Sequence, residues 1–199
     1  MSLSYIKSET TFKINALRLN RILNLKANFP KFVFKRKYNY YSFNEFDRAI
    51  SEDLWTDIKR LSKMSEDFKV LLAVIDPDPE QYFKRYFGYY NWAEIPVDTS
   101  EDDYINLLFK EPPSSPADAI VFNSELIVWM PLSMQWAIFA NRSYNLCVLA
   151  TDCQPKLDAS WGTLNSWIGS LSLEFSKKDE LQAFIDMMNI SYPIYNKKN

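Results

Sequence analysis

Two carboxylates stand directly behind an apolar run: Val70 to Ile75 is followed by Asp76-Pro77-Asp78-Pro79. Strand-end aspartates two positions apart can place oxygen ligands around a divalent cation beside a phosphate. That chemistry would make Asp76 and Asp78 the centre of a carboxylate-dependent enzyme. A plainer reading explains the same residues, with Asp78 as a helix N-cap and Pro79 at the first helical position. A motif of three residues recurs readily by chance. The reading adopted is the structural one: no catalytic or metal-ligating residue is assigned, no cofactor is expected, and the chain is read as a non-enzyme.

Recognition chemistry is better represented. Tyr82, Phe83, Tyr86, Phe87, Tyr89, Tyr90 and Trp92 place seven aromatic residues within eleven positions. A helix buries one face, so a cluster this dense is expected to leave rings for a groove or a partner. Phe83 and Phe87 are assigned to the core. Tyr82, Tyr86, Tyr89, Tyr90 and Trp92 are the candidate partner-binding residues, since hydroxyl and indole groups tolerate water. Lys26, Lys31, Lys35, Arg36 and Lys37 interleave with Phe29, Phe32, Phe34, Tyr38, Tyr40 and Tyr41, the residue types of a single-strand nucleic-acid platform. Against that stand an acidic pI of about 5.3 and the simpler alternative of a solvated strand with its rings inward. A basic patch for an acidic protein lies between the two.

The scarce residues exclude more than the motifs suggest. There is no His, which removes Ser-His-Asp and Cys-His nucleophile pairs and every zinc site with a His ligand. Two cysteines, Cys147 and Cys153, cannot form a four-thiolate site, and in a reducing compartment they are expected as free thiols. Three glycines, Gly88, Gly162 and Gly169, are too dispersed for a phosphate-cradling loop. The first residues lack the pattern of a signal peptide, and no apolar run approaches a membrane span. The expectation is a cytoplasmic protein with neither membrane nor nucleic acid as its partner. Charge is polarised along the chain: residues 1–41 hold nine Lys/Arg and one Glu, residues 42–199 hold 14 and 24.

The elements that must position these residues follow from periodicity. Ser42 and Glu45 have capping-box spacing, and Phe43, Phe46, Ile50, Leu54, Ile58 and Leu61 recur at helical steps, which predicts a helix over 43–64. Residues 68–75 read as a buried strand, with a helix capped by Asp78 and stopped at Gly88 behind it. A further helix starts after Thr99 or Ser100. The stretch 111–117, rich in Pro and Ser, is the one linker-like segment and a lobe boundary within an expected single domain, 1–199. Beyond it, Ala119–Phe122, Leu126–Met130, Gln135–Ala140 and Leu146–Ala150 predict an antiparallel meander, followed by a strand over Leu171–Phe175 and a helix started by Ser176 and Asp179. Residues 10–41 fit helix through Phe12, Ala16, Leu19 and Leu23, strand through Phe12 and Ile14, and lean to strand over 32–41. The fold class expected is α+β, an antiparallel sheet mainly from the second half of the chain packed on amphipathic helices.

Within the second half, Asp118-Ala119-Ile120-Val121-Phe122, Trp129, Trp136-Ala137-Ile138-Phe139, Asn141-Arg142 and Leu146-Cys147-Val148-Leu149 resemble sheet segments of small bacterial α+β proteins of the polymorphic-toxin immunity type. The resemblance spans residues 118–152. It implies a non-enzymatic protein that binds another protein, a toxin encoded nearby, with Arg142 as a candidate contact residue; read by itself, Arg142 belongs in a sheet turn. The Asp76-Pro77-Asp78 triplet also resembles the aspartate motif of haloacid dehalogenase-like phosphatases and the Asp-x-Asp of nucleotide-sugar glycosyltransferases, although Pro79 stands where the phosphatases usually have Gly.

Overall fold

Three consecutive runs, Leu126–Pro131, Trp136–Asn141 and Leu146–Thr151, are apolar on both alternating sets of positions, a composition that suits strands covered on both faces. In a computed structural model, which describes residues 3–155, 157 and 160–193, these runs are the centre of an antiparallel sheet with helical layers on either side. The strands are β1 (Tyr40–Asn44), β2 (Lys69–Asp76), β3 (Trp92–Pro96), β4 (Leu126–Pro131), β5 (Trp136–Asn141) and β6 (Leu146–Thr151). Their order in the sheet is β1-β6-β5-β4-β2-β3, and every neighbouring pair is antiparallel. The α+β class expected from the sequence is the class observed.

The two faces of the sheet hold separate cores. On one, Leu71, Ala73, Val128, Met130, Phe139 and Val148 pack beneath α1 (Glu9–Ile22), the loop 23–39 and the C-terminal helix Lys178–Ser191. On the other, Val70, Leu72, Trp129, Ile138 and Leu149 pack beneath α2 (Phe46–Ala49), α3 (Glu52–Met64), the π-helical turn Pro79–Lys84 with α4 (Arg85–Phe87), and α5 (Glu101–Leu108). The period-two alternation of the strands sends neighbouring residues to opposite cores, which is why β5 and β6 are buried at every position. After the sheet come α6 (Ile168–Leu171) and α7 (Lys178–Ser191).

Several local expectations hold. Asp78 accepts hydrogen bonds from the N–H groups of Glu80 and Gln81, Pro79 opens the helix, and Gly88 ends it in the left-handed region at φ 79°. Ser100 caps α5 by accepting from the Asp103 N–H. Strands β2, β4, β5 and β6 stand where the apolar runs place them.

Others are corrected. The helix over 43–64 is three elements: β1 ends at Asn44, α2 is a single turn, and the chain breaks at Ile50–Ser51 before α3. Ser42 and Phe43 pair with Leu149 and Val148 of β6, so the ladder takes the residues that a capping box would have used. Residues 119–122 are turn rather than strand; the Val121 N–H bonds the Leu108 carbonyl at the end of α5 instead of a sheet neighbour. Leu171–Glu174 is helical, with α6 running into a 3-10 turn over Ser172–Glu174, and only Phe175 has extended backbone. α7 starts behind Lys177, with no side-chain cap from Ser176. Of the segment 32–41, only Tyr40 and Tyr41 are strand. The Pro-rich stretch 111–117 connects α5 to β4, whose partner β2 lies before it in the chain.

Candidate functional site

The Pro79–Phe87 helix presents its aromatic residues to three different environments. Phe83 is fully buried on the α3 side of the sheet. Tyr82 is half-buried, and its hydroxyl donates to Oδ1 of Asp118 at 2.9 Å. Tyr86 is 63% exposed, its ring 5.5 Å from that of Tyr82 and 5.6 Å from the Arg85 guanidinium. Asp118 also accepts from Ser115 and Asn123. Burial pushes its carboxyl up, but the hydrogen bonds from Ser115, Asn123 and Tyr82 outweigh burial and hold it below the usual carboxylate range. The bond to ionised Asp118 in turn raises the Tyr82 phenol, with burial adding to it.

Tyr89, Tyr90 and Trp92 are buried. Tyr89 stacks on Tyr5 at 4.8 Å in one core. Tyr90 stacks on Phe12 at 3.9 Å in the other, and Trp92 lies against the same Phe12 at 4.7 Å while its indole N–H donates to the Val74 carbonyl at 2.7 Å. Arg142 is a bolt between loops. Its Nε donates to the Ser124 carbonyl and its Nη2 to the Val121 carbonyl, each at 2.9 Å, with the guanidinium 4.4 Å above the Phe46 ring. Of the six residues singled out in the sequence, Tyr86 projects into solvent, Tyr82 and Arg142 are half-buried, and the remaining three fill the cores.

Where Tyr89 meets the amino-terminal segment there is a groove of about 290 Å³, lined by Tyr5, Phe87, Tyr89 and Pro113 with Lys7 and Lys110. Glu111 adds one carboxylate to the lining. The Tyr5 hydroxyl donates to the Leu107 carbonyl at 2.7 Å, fixing its ring as one wall. Burial, with the nearby Asp118 charge, pushes the Tyr89 phenol up to about 12. Past Lys110, Phe109 and Phe122 meet edge to face at 6.0 Å, 48% and 58% exposed. Ring contacts run from Tyr86 through Tyr82, Phe87 and Tyr89 to Tyr5, and Phe109 is the chain neighbour of Lys110, which lines the groove. Sequence reasoning missed Tyr5, Phe109 and Phe122. Tyr5 sits in a segment without periodicity, whereas Phe109, next to Lys110 at the end of a helix, was a readable signal of an exposed ring.

The other candidate chemistry is dispersed. Asp76 is exposed at the end of β2, and Asp78 is engaged as a cap. Among the described residues, no three His, Cys, Asp or Glu side chains are grouped to hold a metal ion. In the stretch 26–41, Phe29, Phe34 and Tyr38 are turned inward and buried, Phe32, Tyr40 and Tyr41 are half-buried, and Lys26, Lys31, Lys35, Arg36 and Lys37 face water. Cys147 and Cys153 are free thiols, the first buried and the second exposed. No described helix is long and apolar enough to cross a membrane. Compared with known proteins, the chain matches no family model, no curated sequence and no solved structure.

Proposed function

We propose that this chain is a non-enzymatic protein-binding factor that neutralises a toxin in the bacterial cytoplasm, and that it engages its partner through the aromatic band from Tyr86 to the Tyr5–Tyr89 groove together with the exposed pair Phe109 and Phe122. The observation that carries the reading is the exposure of Tyr86, Phe109 and Phe122 around an aromatic-lined groove, in a fold that buries the neighbouring Tyr89, Tyr90 and Trp92. Large rings left in water are the residues that contribute most when a partner covers them. Lys7, Lys110 and Glu111 give the groove a polar border of the kind that surrounds interface cores. The choice of a toxin as partner, and the bacterial cytoplasm as the place, follow the resemblance of residues 118–152 to immunity proteins.

The test is binding and protection. The purified chain is titrated with the product of the adjacent toxin-like gene, and cells expressing that toxin are scored for survival. The expected result is tight binding that the double variant Tyr86→Ser/Phe122→Ser loses without a change in melting temperature. Unchanged binding by the double variant would remove the band from the interface, and absence of any binding or protection would end the toxin assignment.

A further inference from the structure

A second surface has a different chemistry. Residues 21–37 contain six Lys/Arg and no Asp or Glu. Arg36 pairs with Asp152 and lies 4.5 Å from the Tyr38 ring centre. Arg21, Lys26, Lys31, Lys35 and Lys37 are exposed, and among the described residues none of them enters an ion pair. The Lys35 ammonium is held by the carbonyl and side-chain oxygens of Asn20, which fix its position and leave its charge uncompensated.

The backbone beneath these cations is anchored. Val33 and Phe34 are buried, Leu23 bridges to Phe34, the Lys35 N–H bonds the Ile22 carbonyl, and the Tyr192 hydroxyl accepts from the Val33 N–H and donates to the Lys31 carbonyl. The charges therefore sit on a fixed layer of the fold. Beside them is an apolar groove of about 240 Å³ lined by Phe32, Lys37, Tyr41, Ile190, Ser191 and Pro193, with Ile190 80% exposed.

Among the acidic groups of the same layer, Glu9 pairs with Lys13, Asp152 holds Arg36, Glu180 pairs with Lys177 and Asp186 accepts from Gln182, while Glu174 lies in the 3-10 turn before α7 and Asp179 in the first turn of that helix. On the opposite side of the sheet, residues 98–118 hold six Asp/Glu and one Lys. The charge polarisation of the sequence is thus kept across the sheet, a field that steers an acidic body onto the 21–37 face. Of the six rings in residues 26–41, Phe29, Phe34 and Tyr38 are buried and only Phe32, Tyr40 and Tyr41 are partly open, which leaves few rings for stacking successive bases of a single-stranded nucleic acid.

We propose that the face formed by residues 21–37 and the end of α7 docks an acidic segment of a partner protein, with an apolar side chain in the Phe32–Ile190 groove and carboxylates on Lys31, Lys35 and Lys37. The proposal takes from the functional reading only that the partner is a protein. The test is fluorescence anisotropy on the full chain with three labelled probes: a peptide of Glu residues around a central Phe, the same peptide with Gln for Glu, and oligothymidylate. The acidic peptide is expected to bind with an affinity that falls as salt rises, and the Gln peptide to bind at least about tenfold more weakly.

The triple variant Lys31→Glu/Lys35→Glu/Lys37→Glu should lose at least about tenfold, while Lys63→Glu on the opposite face should not. The milder pair Lys31→Gln/Lys37→Gln, with folding checked by circular dichroism, should weaken binding in the same direction. Binding that is equal in these variants, or tighter for oligothymidylate than for the acidic peptide, would overturn the proposal. Failure of the acidic peptide beside a toxin that still binds through Tyr86 and Phe122 would remove this face alone and leave the protein-binding reading standing.

Discussion

Trp161 donates its indole N–H to Oδ2 of Asp57 at 2.8 Å, joining residues 104 positions apart. The same oxygen takes Nη2 of Arg48 at 2.8 Å, and Oδ1 takes Nη1 of Arg60 at 3.3 Å. Asp57 is fully buried, so its charge depends on these partners, and they in turn tie α2, α3 and the segment after β6 into one unit.

Removing the carboxylate would take from the largely buried Arg48 side chain its buried ion-pair partner, with the exposed Asp53 still in reach, and leave the Trp161 donor without its acceptor. Asp57→Ala is expected to cost about 3–5 kcal/mol of stability, the range for a buried pair that loses one partner. Trp161→Phe, which removes the N–H donor together with part of the fused ring, should cost about 1–3 kcal/mol. Urea unfolding followed by circular dichroism measures both. A loss below about 1 kcal/mol for Asp57→Ala would mean that solvent already serves the carboxylate.

The Asp57 hub had no signature in the sequence, because its parts come from three elements and its stabilisation exists only once they meet. What was legible had local causes: Asp78, Pro79 and Gly88 start and stop a helix through their own backbone chemistry, and the apolar runs of β4 to β6 declare burial by composition. The misread segment is Phe43 to Ile50. Phe43 and Phe46 are spaced as on one face of a helix, yet Phe43 faces the α1 side of the sheet and Phe46 the α3 side. Pairing of β1 with β6, a contact about a hundred residues away, decided it. The division of the aromatic cluster was hidden for the same reason: a helix buries one face, whereas the sheet beside it buries two. Adjacent Tyr89 and Tyr90 are therefore both core residues, in different cores.

Asp118 makes part of the stability pH-dependent. Its folded-state carboxyl lies below its ordinary value, as burial is outweighed by the hydrogen bonds from Ser115, Asn123 and Tyr82. A group depressed on folding stabilises the native state fully above its unfolded pKa and ceases to do so as pH falls through the folded one. Asp118→Asn, which does not titrate, should begin less stable at neutral pH and lose less on acidification through the carboxylate range. Urea midpoints at a series of pH values decide it: parallel curves for the two proteins would contradict the assignment.

The two thiols should differ in reactivity. Cys147 is fully buried on β6, paired with Ala140 of β5, where loss of solvent pushes its thiol well above the ordinary range; Cys153 is exposed. An aromatic disulfide reagent at neutral pH is expected to titrate one thiol in the native protein and two in denaturant. Cys153→Ser should abolish the native reaction while leaving the fold unchanged, and rapid labelling of both thiols in the native state would place Cys147 outside the core.

Tyr86 and Tyr90 lie four positions apart, and the division of the aromatic cluster into surface and core makes opposite demands on them. Tyr90 packs face to face on Phe12 and is buried beneath α1, so Tyr90→Ala leaves a cavity against a helix that cannot close it, at a cost of about 3–5 kcal/mol. Tyr86 keeps most of its ring in water, and Tyr86→Ala should change stability by no more than about 0.5 kcal/mol. Thermal and urea unfolding of the two variants, made side by side, test the division directly. Equal destabilisation would mean that Tyr86 is held by the fold as Tyr90 is, and the band proposed for the partner would lose its most exposed member. The expected asymmetry would instead leave Tyr86 as a ring whose position the fold tolerates but does not require, and covering it on binding would then account for its presence.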